Sequence, residues 1–156
     1  MPASGVFGKL NLREHPEIIV LNAPESFEPE LGRLRGVAVR RDLSGARRVS
    51  FALAFVTRKV EVRFLTRSIP KVVEGDAVVW FAYPKGTSKR YACDFNRDTG
   101  WDALGAAGFE AVRQVAIDED WTALRFRRVE FIKTLTRDIA RTRSKVGRTR
   151  VAKKAR

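Results

Sequence analysis

Three short apolar runs constrain the fold of this chain more than any other feature. They are IIVL at 18–21, VSFALAFV at 49–56 and DAVVWFAY at 76–83, and each is bounded by turn-forming residues. Continuous apolar runs of this length are typical of strands that are covered on both faces of a parallel sheet. They therefore predict three buried parallel strands. The more polar run GVAVRRD, 36–42, predicts a further strand near an edge.

The segments between these runs carry helix signals. Ser26 is predicted to cap a short helix, and Thr57 is predicted to cap a second one. Thr99 and Asp102 have the spacing of a capping box at the start of a third helix, and Gly108 stands where the chain must turn out of it.

The second of these helices has a predicted apolar face. Val60, Phe64 and Leu65 are expected to face the sheet, and Pro70 is expected to end the helix because a proline has no amide to donate. This arrangement would place a helix between the second and third apolar runs, as a right-handed parallel connection requires.

Two β-rich segments follow the third helix. Residues 109–117 and 121–130 are separated by only three acidic residues, so they must pair as an antiparallel hairpin. The predicted fold is an α/β domain with a mostly parallel central sheet, helices on both faces and a C-terminal antiparallel hairpin. Residues 1–132 are predicted to form this single domain, and residues 133–156 a basic tail that is partly helical or disordered.

Parallel β/α units that end in an antiparallel hairpin resemble the class I methyltransferase architecture. The best local match is FVTRKVEVRFLTRSIPKVVEGDAVVWFAYPK, 55–85. More specifically, LNAPESF, VVWFAYPKGTSKRY and VAIDEDWTALRFRR are similar to segments of a family of short, uncharacterised bacterial proteins. The resemblance covers about residues 7–132. It implies a Rossmann-like fold and a bacterial source, and it implies no particular activity.

The turn after the first strand departs from the methyltransferase pattern. That superfamily normally has a Gly-x-Gly sequence there, whereas this chain has no glycine between Gly8 and Gly32. Pro24 removes an amide from the turn, and Glu25 adds negative charge. The sequence therefore assigns no cofactor to the chain.

A ligand site is predicted at the carboxyl ends of the strands, where open α/β sheets bind their ligands. The loops there are NAPES, TRK and YPKGTSKR, which offer cations and hydroxyls to an anionic or nucleoside-type ligand of unknown identity. An ordinary solvated rim is the alternative. The candidate ligand-binding residues are Asn22, Glu25, Ser26, Thr57, Arg58, Tyr83, Lys85, Thr87, Ser88 and Lys89.

Two groups of acidic residues have both a functional and a structural interpretation. Asp42 lies about 20 residues after the first turn, where an acid binds a ribose in dinucleotide-binding folds, but it also suits a turn. Asp118, Glu119 and Asp120 could hold a hard cation, although consecutive acids in a hairpin turn point in different directions. No metal site is assigned.

No catalytic grouping is recognisable in the sequence. One cysteine, Cys93, and one histidine, His15, exclude a disulfide framework and argue against a zinc site. A single cysteine, the absence of a signal-peptide core and the absence of a transmembrane run predict a cytoplasmic protein. Whether the chain is an enzyme is left open.

Most of the net charge of +13 lies at the C-terminus. Residues 133–156 hold ten lysines or arginines and one acid, and Ile132, Leu135, Ile139 and Val146 recur there at roughly helical spacing. Such a segment attracts polyanions through counterion release. A solubilising tail without a partner and a contact with an anionic membrane surface are the alternatives. The candidate nucleic-acid-binding residues are Lys133, Arg137, Arg141, Arg143, Lys145, Arg148, Arg150, Lys153, Lys154 and Arg156.

Three functions remain open. The first is a noncatalytic methyltransferase-like domain whose tail contacts nucleic acid or another acidic partner, with Arg125, Arg127 and Arg128 extending the basic surface. The second is an enzyme or small-ligand receptor that uses the rim of the sheet. The third is a protein-interaction module that uses the hairpin edge.

Overall fold

A computed structural model describes residues 5–132, and the predicted basic tail lies outside these residues. Within them, six strands form one sheet in the order β2-β1-β3-β4-β6-β5. The strands are β1 (Glu17–Leu21), β2 (Ala38–Arg40), β3 (Val49–Phe55), β4 (Val73–Pro84), β5 (Phe109–Ala116) and β6 (Trp121–Arg128).

The first four strands are parallel, and β6 runs antiparallel to both β4 and β5. The three apolar runs are β1, β3 and β4, and the polar run gives the short edge strand β2. The predicted mostly parallel sheet with a C-terminal hairpin is therefore confirmed. Because β2 and β3 lie on opposite sides of β1, the strand order reverses between β1 and β3.

Helices cover both faces of the sheet. The described helices are α1 (Gly5–Lys9), α2 (Glu28–Gly32), α3 (Lys59–Ser68) and α4 (Asp102–Ala106), with 3₁₀ turns at Glu25–Phe27, Ile69–Lys71 and Val129–Phe131. One core contains buried residues of α3 and α4, and a second core on the opposite face contains those of α1 and α2. None of these helices is long and apolar enough to cross a bilayer.

The indole of Trp80 ties α1 to the central strand β4. Its Nε1 donates to the carbonyl of Leu10 at 2.7 Å, and the side chain is fully buried. A buried indole N–H requires such a partner, because an unsatisfied donor in a core is costly. The helix therefore closes the second core beside the hairpin.

The predicted sheet-facing side of α3 is wrong in two of its three residues. Val60 is 54% exposed and Phe64 is 66% exposed, whereas Leu65 is buried as predicted and Val62 is completely buried. The reason is Thr66, which occupies a core position because its hydroxyl donates to the carbonyl of Val62 at 2.6 Å. An apolar pattern alone does not identify a threonine that satisfies its own hydroxyl in this way.

The predicted caps also differ from the structure. Ser26 makes no capping bond, because α2 follows a 3₁₀ turn and has Phe27 at its N-cap position. Thr99 is not the cap of α4 either, since that position is held by Trp101. The predicted helix end at Gly108 is confirmed, and this glycine has a φ of 90° that disfavours other residues.

Two matched substitutions test the orientation of α3. Val62→Ala should lower the free energy of unfolding by about 1–2 kcal/mol, because it removes buried methyl groups and leaves a cavity. Val60→Ala should change it by less than about 0.5 kcal/mol, because Val60 is exposed. Urea denaturation of both variants measures the difference, and equal losses would contradict the orientation.

Candidate anion-binding site

A cavity of about 1000 Å³ lies beyond the carboxyl end of β4, beside the hairpin. It is formed mainly by the long loop that connects β4 to α4, and we call it the rim cavity. Loops of this length without secondary structure of their own are uncommon in compact domains and are often functional. The lining residues are Tyr83 to Cys93, Phe95 to Asp98, Gln114 and Thr122.

Asn96 organises the far end of this loop. Its Oδ1 accepts the amides of Asp98 at 2.8 Å and Thr99 at 3.1 Å, and its backbone carbonyl accepts the indole N–H of Trp101 at 2.9 Å. An asparagine that bonds the following amides stabilises a turn. The loop therefore has a defined conformation where it passes into α4.

Two further attachments fix the loop to its surroundings. Asp94 Oδ1 accepts the amide of Lys59 at 2.7 Å, which satisfies one of the free donors at the start of α3. The hydroxyl of Ser88 donates to Asp120 Oδ1 at 2.9 Å and accepts the amide of Tyr91 at 3.2 Å. The loop is thus connected to α3 and to the hairpin turn.

The hairpin turn uses its carboxylates structurally. Asp118 Oδ1 accepts the amides of Asp120 and Trp121, both at 2.8 Å. Residues 5–132 contain no group of histidine, cysteine and acidic residues that could hold a metal ion.

The rim cavity has an excess of positive charge. Lys85, Lys89, Arg90 and Arg97 line it, against the single lining carboxylate of Asp98. Arg97 Nε lies 3.3 Å from Asp98 Oδ1. Within residues 5–132, no ion pair is found for the other three cations. The cavity is therefore suited to an anion, because cations in a concave site raise the local concentration of negative ligands.

The inner wall of the rim cavity is polar and fixed. Gln114 Nε2 donates to Tyr83 Oη and to Thr122 Oγ1, both at 3.2 Å.

The thiol of Cys93, which also lines the cavity, is half-buried. Burial is the main cause that raises its pKa, so this thiol is protonated at neutral pH. A protonated thiol is a poor nucleophile. The cavity offers binding groups rather than an activated nucleophile.

The rim cavity brings together half of the residues predicted from the sequence. Tyr83, Lys85, Thr87, Ser88 and Lys89 line it, whereas Asn22, Glu25, Ser26, Thr57 and Arg58 do not. The other five residues lie elsewhere because their loops follow β1 and β3, whereas the rim cavity is formed by the loop that follows β4. Arg90 ends the predicted rim loop YPKGTSKR and also lines the cavity. The prediction lacked Asn96, Arg97 and Gln114, although the unusual length of the loop was a signal for the first two.

The rim between β1 and β3 satisfies its own polar groups. Asn22, at a φ of 58°, donates through Nδ2 to the carbonyl of Phe55 at 3.4 Å. Glu61 Oε1 accepts the amides of Thr57 at 2.8 Å and Arg58 at 3.0 Å, and it also accepts the Thr57 hydroxyl. The N-cap residue of α3 is Arg58 rather than the predicted Thr57, which instead bonds Glu61. These contacts occupy Asn22 Nδ2, one oxygen of Glu61 and two amides at the start of α3, whereas the cationic side chains of Arg58 and Lys59 have no ion pair within residues 5–132.

A second cavity of about 750 Å³ lies between α3 and the loops that follow β1 and β2. We call it the helix cleft. The exposed side chains of Val60 and Phe64 line it, together with Asn22, Asp42 and Glu61. Asp42 Oδ1 accepts the amide of Ser44 at 3.0 Å, which is the turn interaction that the sequence offered as its structural role.

Solved structures similar to this chain include methyltransferases. A SAM-dependent methyltransferase from Aquifex aeolicus is 13% identical and has a TM-score of 0.52, with 78% of this chain and 87% of that chain covered. The fold is methyltransferase-like. The fibrillarin pre-rRNA processing protein of Methanococcus jannaschii is 11% identical with a TM-score of 0.50, over 74% of this chain and 67% of that one.

The pyocyanin biosynthetic protein PhzM is 13% identical with a TM-score of 0.50, and this chain covers only 51% of it. Neither a protein-family model nor a curated protein matches the sequence. At these identities the likeness shows the fold, and the activity must be argued from the residues of this chain.

The first turn of the chain does not fit the carboxylate end of S-adenosylmethionine. A carboxylate at the start of a helix needs free amides, but Pro24 has none and the amide of Phe27 bonds the carbonyl of Pro24 at 2.9 Å. Glu25 adds a negative charge in the same turn. Beyond it, Glu28 at the start of α2 and Arg41 in the loop after β2 form a bidentate ion pair, at 2.7 and 2.8 Å.

Substitution of Gly100 tests whether the loop packs as closely against Phe95 as the structure shows. It has a φ of 90°, and a Cβ built there would lie 2.6 Å from the Cβ of Phe95. Gly100→Ala should therefore lower the free energy of unfolding by about 1–3 kcal/mol. Gly86→Ala is the matched control, because no atom lies within 4 Å of its added Cβ. Thermal denaturation of the two variants measures the effect, and equal midpoints would contradict the close packing at Gly100.

Proposed function

We propose that this chain is a noncatalytic methyltransferase-like domain that binds nucleic acid through its phosphates. The rim cavity would hold one or more phosphates, and the basic segment 133–156 would supply further contacts to the same polymer. The proposal concerns recognition rather than chemistry, and it assigns no reaction.

The cluster of unpaired cations in the rim cavity carries this proposal. Lys85, Lys89 and Arg90 lie on one loop and line one cavity, and none of them has an ion pair within residues 5–132. Cations that line one concave site attract anions, and they do so more strongly at low salt. A phosphate between them would accept several hydrogen bonds. The hydroxyl of Thr87 offers one more donor at the same place.

The contacts of the titratable side chains support a noncatalytic role. Glu61 accepts backbone amides of its own helix start, and Asp42 accepts the amide of Ser44. The thiol of Cys93 is held protonated by burial. His15 Nδ1 accepts the amide of Arg13 at 3.0 Å, and burial first and the charge of Arg13 second lower its pKa. These groups have structural partners instead of a substrate to activate.

The charge distribution supports a polymer as the ligand. Segment 133–156 has a charge of +9 and no aromatic residue, so it is suited to a phosphate backbone rather than to stacked bases. A nucleic-acid partner and a single cysteine also fit the predicted cytoplasmic location.

A triple substitution tests the rim cavity in the full chain. Lys85, Lys89 and Arg90 are changed to Gln, and binding of fluorescein-labelled single-stranded and duplex DNA is measured by anisotropy at several salt concentrations. The affinity should fall about tenfold or more at low salt. The slope of log K against log salt should fall by roughly 2–3, because about three phosphate contacts are lost.

The matched control has the same change in charge away from the cavity. Arg47, Arg63 and Arg67 are exposed and do not line the cavity, so their change to Gln should lower the affinity much less. If the two triple variants lose affinity equally, only the net charge matters and the rim cavity is not the site. If the wild-type chain binds neither probe, the proposed function is wrong.

The helix cleft favours a second candidate, a receptor for a small nucleoside-type ligand. Exposed Val60 and Phe64 would be covered by a flat ring. Its amino or hydroxyl groups could donate to Asn22 Oδ1, Asp42 Oδ2 and Glu61 Oε2, which are not the atoms that make the structural bonds described above. Clefts with apolar walls and a few polar groups are the usual form of small-molecule sites. This candidate is separate from the nucleic-acid proposal, because it uses different residues.

A thermal-shift screen tests the second candidate. At ten times its dissociation constant, a bound nucleoside should stabilise the chain by about 1.4 kcal/mol and raise the midpoint by about 3–5 °C. The screen includes adenosine, nucleotides and S-adenosylmethionine. Phe64→Ser should abolish the shift while changing the midpoint of the free protein little, because Phe64 is exposed. The absence of any shift would eliminate this candidate.

A further inference from the structure

The hairpin carries a second group of arginines, on the face opposite to the rim cavity. Arg113 on β5 and Arg125 on β6 are direct register partners, so their side chains lie on the same face of the sheet. Arg125 is also the register partner of Trp80, which belongs to the core on the α1 side. We call Arg113, Arg125 and Arg127 the arginine face.

Two of the three arginines that the sequence placed on β6 have structural roles. Arg127 forms a bidentate ion pair with Asp76, at 2.8 and 2.6 Å. Arg128 donates to the carbonyls of Gly75 at 2.6 Å and Pro70 at 3.2 Å. These contacts fix the end of β6 to the start of β4, and they leave Arg125 as the arginine of β6 without a hydrogen bond or ion pair among the described residues.

Arg125 carries a charge that its surroundings do not compensate. The residue is half-buried, and its Nε is buried without a hydrogen-bond partner within residues 5–132. Burial first, and then the positive charges of Arg127 and Arg113, lower its pKa, although an arginine stays charged. The one acid that acts against this is Asp76, which already holds Arg127. A partly buried charge without a partner is costly, so the site favours an added anion.

We propose that Arg113 and Arg125 bind a phosphate of the nucleic-acid backbone, and this inference rests on the proposed function. Arg113 is exposed, so the pair is open to a polymer from the edge strand β5. The described residues end at Ile132, which forms a small cluster with Val129 against Val112, the residue before Arg113 in sequence. A polyanion that follows the edge strand β5 would contact Arg113 and Arg125, and it would also attract the basic segment that follows Ile132 in sequence.

The test uses the full chain with Arg113→Gln and Arg125→Gln combined. Its affinity for the labelled DNA probes should fall about five- to tenfold at low salt, and the salt slope should fall by roughly 1–2. Arg63→Gln combined with Arg67→Gln is the matched control, with an expected loss below about twofold. Equal affinities of the two double variants, with the wild type binding, would overturn this inference alone.

Stability separates a binding role from a structural one. Arg125→Met should leave the melting midpoint of the free protein unchanged or raise it, because it removes a half-buried charge that has no partner. A clear fall of the midpoint would show that Arg125 supports the fold, and would overturn its role as a phosphate ligand. If the double variant folds poorly, the single variant Arg113→Gln is measured instead, because Arg113 is exposed and its substitution should not disturb the fold. An unchanged DNA affinity of this single variant would contradict the proposal. If the wild type binds neither probe, both proposals fail.

Discussion

The parallel pairing of β1, β3 and β4 is the constraint on which the rest of the structure depends. These strands are buried on both faces, so each must be covered by helices on either side. Because they run in one direction, their carboxyl ends lie at one rim of the sheet, and the loops that follow them share that rim. The antiparallel hairpin extends the same sheet beyond β4 and supplies the wall of the rim cavity.

The two halves of the rim differ in how they use their polar groups. Between β1 and β3, Asn22 and Glu61 bond nearby backbone groups, and the turn at Pro24 lacks the amide that a ligand would need. Beyond β4, the loop is fixed by Asn96 and Asp94, while Lys85, Lys89 and Arg90 have no ion pair within the described residues. Arg58 and Lys59 between β1 and β3 also have none there, so the difference between the two halves is that the loop after β4 gathers its cations around one cavity.

The fold was predictable from the sequence, because the length and the unbroken apolar character of the three runs indicate buried parallel strands without any knowledge of their neighbours. The face of α3 was not, since Thr66 enters the core through a hydroxyl bond that a hydropathy pattern does not contain. The candidate site was half predictable. Tyr83 and Lys85 follow directly from the end of β4, but Gln114 reaches the cavity from the edge strand, and no local signal connects it to a loop some 20 residues earlier.

The geometry of β5 bears on whether the anionic ligand is a polymer or a single nucleotide. Gln114 lines the rim cavity, while its neighbour Arg113 lies on the opposite face, as adjacent residues of a strand must. The rim cavity and the arginine face therefore lie on opposite faces of the sheet at its edge strand. Under the proposed function, one polymer would pass around the edge of β5 to engage both.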